Sequence, residues 1–224
     1  MIEEFEKEGV DTSKIVRLEG VSGIAIIHSH KKGRNILVHK GVSRNFNKDH
    51  IPEEYIKNAK FLHLTSIISK NAISAFEHAS AVAKKNNVKV IFDPGQIMAL
   101  PTGRLSRILK NCYAILPSEK EARMMTGMKK GKIEKVAEKL LDYGTEVVVI
   151  TRGENGCLLA SKNLIKNIPA AKTRVVDTTG AGDAFSAGFI AALLDEKDVE
   201  EACVFGNKVA AASMNRRGAR AVRL

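Results

Sequence analysis

The stretch Val175-Val176-Asp177-Thr178-Thr179-Gly180-Ala181-Gly182-Asp183-Ala184-Phe185 concentrates the residue types that chemistry requires. An apolar pair leads into small residues. Ala184, Gly188 and Ala192 then recur at helical spacing, with Phe185 and Phe189 adjacent. The pattern predicts a short strand, a turn and a helix. Glycines at 180 and 182 let the backbone approach a ligand closely, and the free N–H groups of a first helical turn point at it. With the helix dipole they form an anion site suited to a phosphoryl group. A carboxylate at 183 would repel phosphate, so anion binding alone gives it no purpose. It gains one where Asp183 faces a substrate hydroxyl and takes its proton while the amides stabilise the group in transfer. A plainer alternative is a capped, Gly-rich helix start, which accounts for Asp177 and the glycines but leaves Asp183 idle.

The elements that must position this turn follow a rhythm of short apolar strand, turn and amphipathic helix. Phe61–Leu64 reads as a strand, followed by a helix with Ala72, Ile73, Phe76, Ala79 and Ala83 on one face. Val88–Asp93 is an apolar run ended by Asp93-Pro94-Gly95. Tyr113–Leu116 repeats it, ended by Pro117, and Ser118 can cap a helix carrying Glu119 and Glu121 in its first turn. Ile133–Tyr143 is amphipathic and closed by Gly144, and Glu146–Thr151 is the clearest buried strand. Such alternation implies a parallel sheet covered on both faces. Two stretches break it. Ile24–His28 and Asn35–His39 flank Lys31-Lys32-Gly33 as a β-hairpin, and Leu158–Ala160, Leu164–Ile168 and Arg174–Val176 read as antiparallel strands without helices between them. The expected fold class is α/β with a mixed, mostly parallel sheet.

Composition narrows the function classes. The chain has 224 residues with 44% hydrophobic and 27% charged, as in globular proteins, and shows no repeat or low-complexity tract. One domain spanning 1–224 is expected, with about 21–40 contributing a small β lid. No apolar run reaches the roughly 20 residues that cross a bilayer, and the acidic start MIEEFEKEGVD carries no leader pattern, so the reading is soluble and cytoplasmic with no membrane partner. Cys112, Cys157 and Cys203 are odd in number, far apart and set among apolar neighbours, which points to small core residues. His28, His30, His39, His50, His63 and His78 share no metal-ligand spacing, and His63 reads as a satisfied core or cleft histidine. The net charge of +11 is spread over scattered clusters, while aromatics are 5% and Trp is absent. That favours a field attracting anionic small molecules over a nucleic-acid face.

DTTGAGDAFSAGF resembles the C-terminal signature of the ribokinase-like (PfkB) sugar and nucleoside kinases. Other matching segments occur in the family's order: GVDTS near the start, Gly33-Arg34 in the hairpin, Asp93-Pro94-Gly95, and Leu116 to Glu121. Thr151-Arg152-Gly153-Glu154-Asn155-Gly156 and the closing Phe205-Gly206-Asn207 to Arg217-Gly218-Ala219 complete the series. The resemblance implies an αβα sandwich with a small β lid, ATP as donor, Mg²⁺ and, in many members, a monovalent cation such as K⁺. It implies that Asp183 deprotonates the acceptor hydroxyl and that the amides of Gly180, Ala181 and Gly182 form the anion hole. Thr151, Arg152, Gly153, Glu154, Asn155 and Gly156 would border the nucleotide, although an ordinary strand connection is an alternative for that turn. Asn207 would lie near adenine, the alternative being an exposed helix position. Asp177 and Thr179, with Ser213 and Gly218, would line the monovalent-cation loop. Glu121, beside Glu119, corresponds to the glutamate that organises Mg²⁺, although acidic residues favour a helix's first turn in any case. Family members often dimerise through the lid, which allows a homodimer here.

Three departures stand against the family pattern. Ser118 replaces an Asn and offers a shorter side chain with one donor. Arg152 replaces an apolar residue. The opening strand and Gly-Gly-Asn segment, which supply most acceptor contacts, have no counterpart, so the chain is N-terminally truncated relative to the family. The functional expectation is transfer of the γ-phosphoryl group of ATP to a hydroxyl of a sugar or sugar derivative. A nucleoside kinase of the same fold and an inactive nucleotide-binding remnant are the alternatives.

Overall fold

The computed structural model of the chain describes residues 2–30, 33–65, 70–95 and 102–219. In chain order the elements are α1 (Ile2–Lys7), β1 (Ile24–His30), β2 (Gly33–His39), α2 (Glu53–Lys57), β3 (Phe61–Thr65) and α3 (Lys70–Lys85). They continue with β4 (Lys89–Asp93), α4 (Thr102–Leu109), β5 (Cys112–Ile115), α5 (Glu119–Thr126) and α6 (Ile133–Leu141). The last group is β6 (Val147–Thr151), β7 (Cys157–Ser161), β8 (Leu164–Ile168), α7 (Ala181–Leu194) and α8 (Val199–Ser213). Strands β3 to β8 form one sheet in that spatial order, so each pairs with its neighbour in sequence. The first four are parallel and the last two antiparallel. None of the described helices is long and apolar enough to cross a membrane.

Period-two alternation sorts each strand between two cores. Val90, Phe92, Ile115, Val148, Ile150 and Leu158 face one side, where Phe76 of α3, Ile108 of α4, Met125 of α5 and Leu140 of α6 meet them. Ile91, Ala114, Val147, Val149 and Leu159 face the other, against Phe185 and Phe189 of α7 and Cys203 of α8. Both faces are therefore covered, which is why β4 and β6 read as unbroken apolar runs. The stepwise strand order accounts for the layering, because crossovers of one hand that advance in one direction all land on the same face. The α7–α8 pair, reached after the antiparallel turnback, fills the opposite one.

Arg174–Val176 corrects one expectation, since it is not a strand. The amides of Val176 and Asp177 both donate to the Met214 carbonyl, at 2.8 and 3.2 Å, and Thr173 Oγ1 donates to the Ala211 carbonyl. The segment runs along the end of α8 instead of extending the sheet beyond β8, and Val175 and Val176 stay exposed. Strands β1 and β2 form a separate two-stranded ribbon in antiparallel register, Ile26 opposite Leu37. Its turn residues 31–32 lie outside the described residues.

Candidate active site

Helix α7 starts abruptly, and its sequence explains why. Gly180 is the N-cap at φ +80, a left-handed conformation that suits glycine, and no side chain caps the helix. The Ala181 amide donates to the Thr178 carbonyl at 3.2 Å, and the ladder opens with Ala184 N to Gly180 O at 2.8 Å. Gly182 and Asp183 thus sit in the first turn, where N–H groups have no intrahelical acceptor. A Cβ built on Gly182 would meet nothing within 4 Å, so the turn is open beside Gly182, while Ala219 packs against Gly180. Asp183 is exposed at its edge. Behind it, Phe185 and Phe189 stack with ring centroids 6.3 Å apart and are buried on the sheet. Gly188 and Gly206 bring α7 and α8 close, and a Cβ on Gly188 would lie 2.8 Å from Val209 Cγ2.

The turn sits at the carboxyl ends of the parallel strands, where open α/β sheets bind ligands. Asp93 ends β4, and its Oδ1 accepts from the Gly95 amide at 3.1 Å while Oδ2 accepts from Ser186 Oγ at 3.2 Å. Burial pushes its carboxyl up to about 6, and the charges of Glu121 and Asp183 add to the rise. Those three carboxylates are therefore near enough for their charges to interact. After β5, Ser118 caps α5 in a reciprocal arrangement: Glu121 N donates to Ser118 Oγ, and Glu121 Oε2 accepts from Ser118 N at 2.8 Å. Glu121 keeps a second oxygen outside that box. Glu119 is paired with Arg123 at 2.8 Å and Arg152 at 3.3 Å, and the hydrogen bonds from these guanidinium groups hold its carboxyl below the usual range.

The turn after β6 belongs to the same rim. Thr151 N donates to Pro117 O at 2.9 Å, tying it to the start of α5. Gly153–Asn155 form one short 3₁₀ turn, with Glu154 and Asn155 exposed. Gly156, at φ +74, packs its α-carbon against the backbone of 168–170. Arg152 is not free in solvent, because Nη1 donates to Asn167 Oδ1 at 2.9 Å and Nε to Glu119. Asp177 organises a clip with one oxygen accepting from Thr179 N and Oγ1 and the other from Gly218 N at 3.0 Å. The Gly218 amide and the Thr179 groups hold this carboxyl down at about 2.

The sequence-predicted residues thus gather in three neighbouring turns, after β5, after β6 and before α7. Two of the expected residues also make contacts within the fold. Asn207 is not an exposed helix position, since it is buried, and its amide donates to the Pro169 carbonyl at 3.0 Å and toward Cys157 Sγ. Ser213 Oγ donates to the Ala210 carbonyl within its own helix. His63, expected in a core or cleft, is exposed on β3, where surrounding protein lowers its pKa and the Asp183 charge opposes the shift. Asp93, read only as a strand-ending turn, is the site residue that sequence reasoning missed. Its signal was the position, a carboxylate at the end of a parallel strand. Among the described residues no three His, Cys, Asp or Glu side chains converge as a metal cluster. A divalent ion bound through one carboxylate, phosphate oxygens and water needs no such cluster, and the second oxygen of Glu121 fits that arrangement.

The sequence profile described as pfkB family carbohydrate kinase matches residues 1–223. An uncharacterized sugar kinase of Archaeoglobus fulgidus is 36% identical over 222 residues, covering 98% of this chain and 87% of that relative. The crystal structure of a ribokinase from Thermotoga maritima superposes with a TM-score of 0.82 at 33% identity, covering 97% of this chain and 71% of that one. A ribokinase of Arabidopsis thaliana, solved with ribose and ATP, superposes at 0.79 with 25% identity, covering 90% and 65%.

Proposed function

The chain belongs to the pfkB family of carbohydrate kinases, and from that premise we propose that it moves the γ-phosphoryl group of ATP to a hydroxyl of a sugar or sugar derivative. The observation that carries the reading is the opening of α7. An uncapped first turn with open space before Gly182 stands beside the exposed carboxylate of Asp183. Asp183 takes the proton of the acceptor hydroxyl. The acceptor oxygen forms its bond to the γ-phosphorus as the bond to the β–γ bridging oxygen breaks, and ADP leaves with that oxygen. The amides of Gly180 and Gly182 stabilise the charge on the oxygens of the group in transfer, while the third expected donor, the Ala181 amide, is engaged by the Thr178 carbonyl at 3.2 Å.

The remaining residues bind and orient. Thr151 to Gly156 border the donor, and Arg152 stiffens that rim by bridging it to Glu119 and Asn167. Glu121 is the residue that would hold Mg²⁺, which when bound offsets the charge of the donor's phosphates. Asp177, ionised well below neutral pH, fixes Thr179 and Gly218 around the loop that would take a monovalent cation. Asn207 would lie near adenine on the donor side, and its amide donates to the Pro169 carbonyl. The β1–β2 ribbon serves as the lid. Ile26 and Leu37, opposite each other on one face, are 60% and 71% exposed, and a second copy of the ribbon is the surface proposed to cover them. Sedimentation of the wild type against Leu37→Lys tests that pairing, and equal masses at every concentration count against it.

The test of the activity is ADP release with Mg²⁺ and K⁺ present against a panel of sugars, sugar phosphates and nucleosides. Turnover with one acceptor names the substrate. Asp183→Asn is expected to abolish it while ATP affinity stays within about twofold, since the lost step is proton removal. Wild-type turnover in that variant would remove Asp183 from the mechanism. ATP binding without turnover on any acceptor would favour a nucleotide-binding remnant.

A further inference from the structure

Helix α7 carries the proposed base, and its N-cap offers no side chain to anchor the first turn. Gly180 supplies no capping side chain. The apolar contacts of Phe185, Phe189 and Ala192 with the sheet are non-directional, so they resist separation better than rolling or sliding. One directional contact links this helix to the strand ends. Ser186 is 1% exposed, and its Oγ donates to Asp93 Oδ2 at 3.2 Å, joining groups 93 residues apart in the chain. Asp93 is held in turn, because Oδ1 accepts from the Gly95 amide in the turn that ends β4. Ser186 follows Asp183 by three residues, so the two share a face of α7. Whatever fixes Ser186 also fixes the direction in which Asp183 points.

We propose that Ser186 is a positioning residue, whose hydrogen bond to Asp93 sets the rotation of α7 so that Asp183 meets the acceptor hydroxyl. The inference rests on the reading of Asp183 as the base. A polar group buried only to satisfy the core would also need a partner, but its loss would act on stability alone. Positioning acts on the chemical step, where a displacement of about 1 Å can cost about 100-fold in rate.

Two readouts on Ser186→Ala separate these roles. The first is amide hydrogen exchange over residues 180–187 in the ligand-free protein, which is expected to speed up at least about fivefold while α8 keeps its protection. The second is steady-state ADP release, from ATP with D-ribose or from ATP alone with water as acceptor. There kcat is expected to fall about 10- to 100-fold with the KM for ATP within about twofold. Asp93→Ala, which also loses the bond from Gly95 N, should show both effects at least as strongly, and the double variant should be no worse than Asp93→Ala alone, because the Ser186–Asp93 bond is already absent there. Asp93→Asn keeps an acceptor oxygen and is expected to retain more α7 protection than Asp93→Ala. Unchanged exchange in Ser186→Ala overturns the proposal. So does faster exchange with unchanged kcat, or a double variant whose losses multiply. Wild-type turnover in Asp183→Asn defeats the base assignment itself, a result that does not depend on Ser186.

Discussion

Asp93→Asn is expected to make the protein less stable at pH 4 and more stable at pH 7. The folded state holds this carboxyl at about 6, chiefly because burial disfavours the charged form, against an ordinary value of 3.8. The native protein therefore keeps the proton to higher pH than the unfolded chain does. The contribution of Asp93 to stability is intact below pH 3.8, declines as pH rises toward 6 and is flat above. At about 1.4 kcal/mol per pKa unit the total decline is about 3 kcal/mol. Asparagine carries no charge and escapes that penalty. It has one acceptor oxygen where the carboxylate uses two, for Gly95 N and Ser186 Oγ, so one bond is lost at about 1–1.5 kcal/mol. The variant should thus lose about 1–1.5 kcal/mol at pH 4, gain about 1–2 at pH 7, and cross the wild type near pH 5. Urea unfolding of both proteins at pH 4, 5 and 7 reads the difference directly, and the pH dependence they share cancels. Parallel stability curves without a crossing would show that Asp93 is not held at a raised pKa. A stability gain accompanied by lost activity would match the usual conflict between a stable fold and a working site.

Two glycines give further expectations. Gly188→Ala should lower the melting temperature although alanine is the better helix former by about 1 kcal/mol. Its Cβ would lie 2.8 and 2.9 Å from Val209 and 3.1 Å from Gly206 Cα, and such overpacking costs roughly 1–3 kcal/mol. A melting temperature at or above the wild type would show that α7 and α8 have room to separate. Gly156→Ala combines a left-handed φ of +74 with a Cβ 2.1 Å from the Ile168 carbonyl oxygen, a clash with backbone that no rotamer relieves. A loss of roughly 2–6 kcal/mol is expected by calorimetry, from strain and overpacking together. Native stability in that variant would mean that the turn bordering the donor is not packed on 168–170.

What could be read from the sequence depended on how far away the deciding partner lay. Val147–Ile150 is legible because a strand covered on both faces is apolar throughout, and α3 because its buried residues repeat at helical spacing. Gly180 is legible because its left-handed φ is a need local to the turn. Arg174–Val176 misled because two valines look the same along a sheet edge and along the end of a helix. Only the bonds to Met214, nearly forty residues on, distinguish them. Helix α4 escaped notice because Leu105, Ile108 and Leu109 are its few apolar residues, although all three are buried. In the site, the contacts of Asp93 and Asn207 were out of reach of the sequence for the same reason. Their meaning lies in Ser186 and Pro169, and sequence spacing carries no trace of either contact.

The strand order has a consequence for how the molecule is made. Because β3 to β8 lie side by side in the order in which they occur, each strand finds its partner as soon as the next short segment has been synthesised. Each closure then spans at most one helical crossover instead of most of the chain, which limits the loop entropy to be overcome at every step. Helices α3 to α6 can cover one face as they emerge from the ribosome, while the face carrying Ile91, Val149 and Leu159 stays bare until α7 and α8 arrive. The Gly180–Asp183 turn is therefore among the last parts to be laid down. A ribosome stalled before α7 would hold a largely assembled sheet with one greasy face and no Gly180–Asp183 turn, a species that chaperones should recognise.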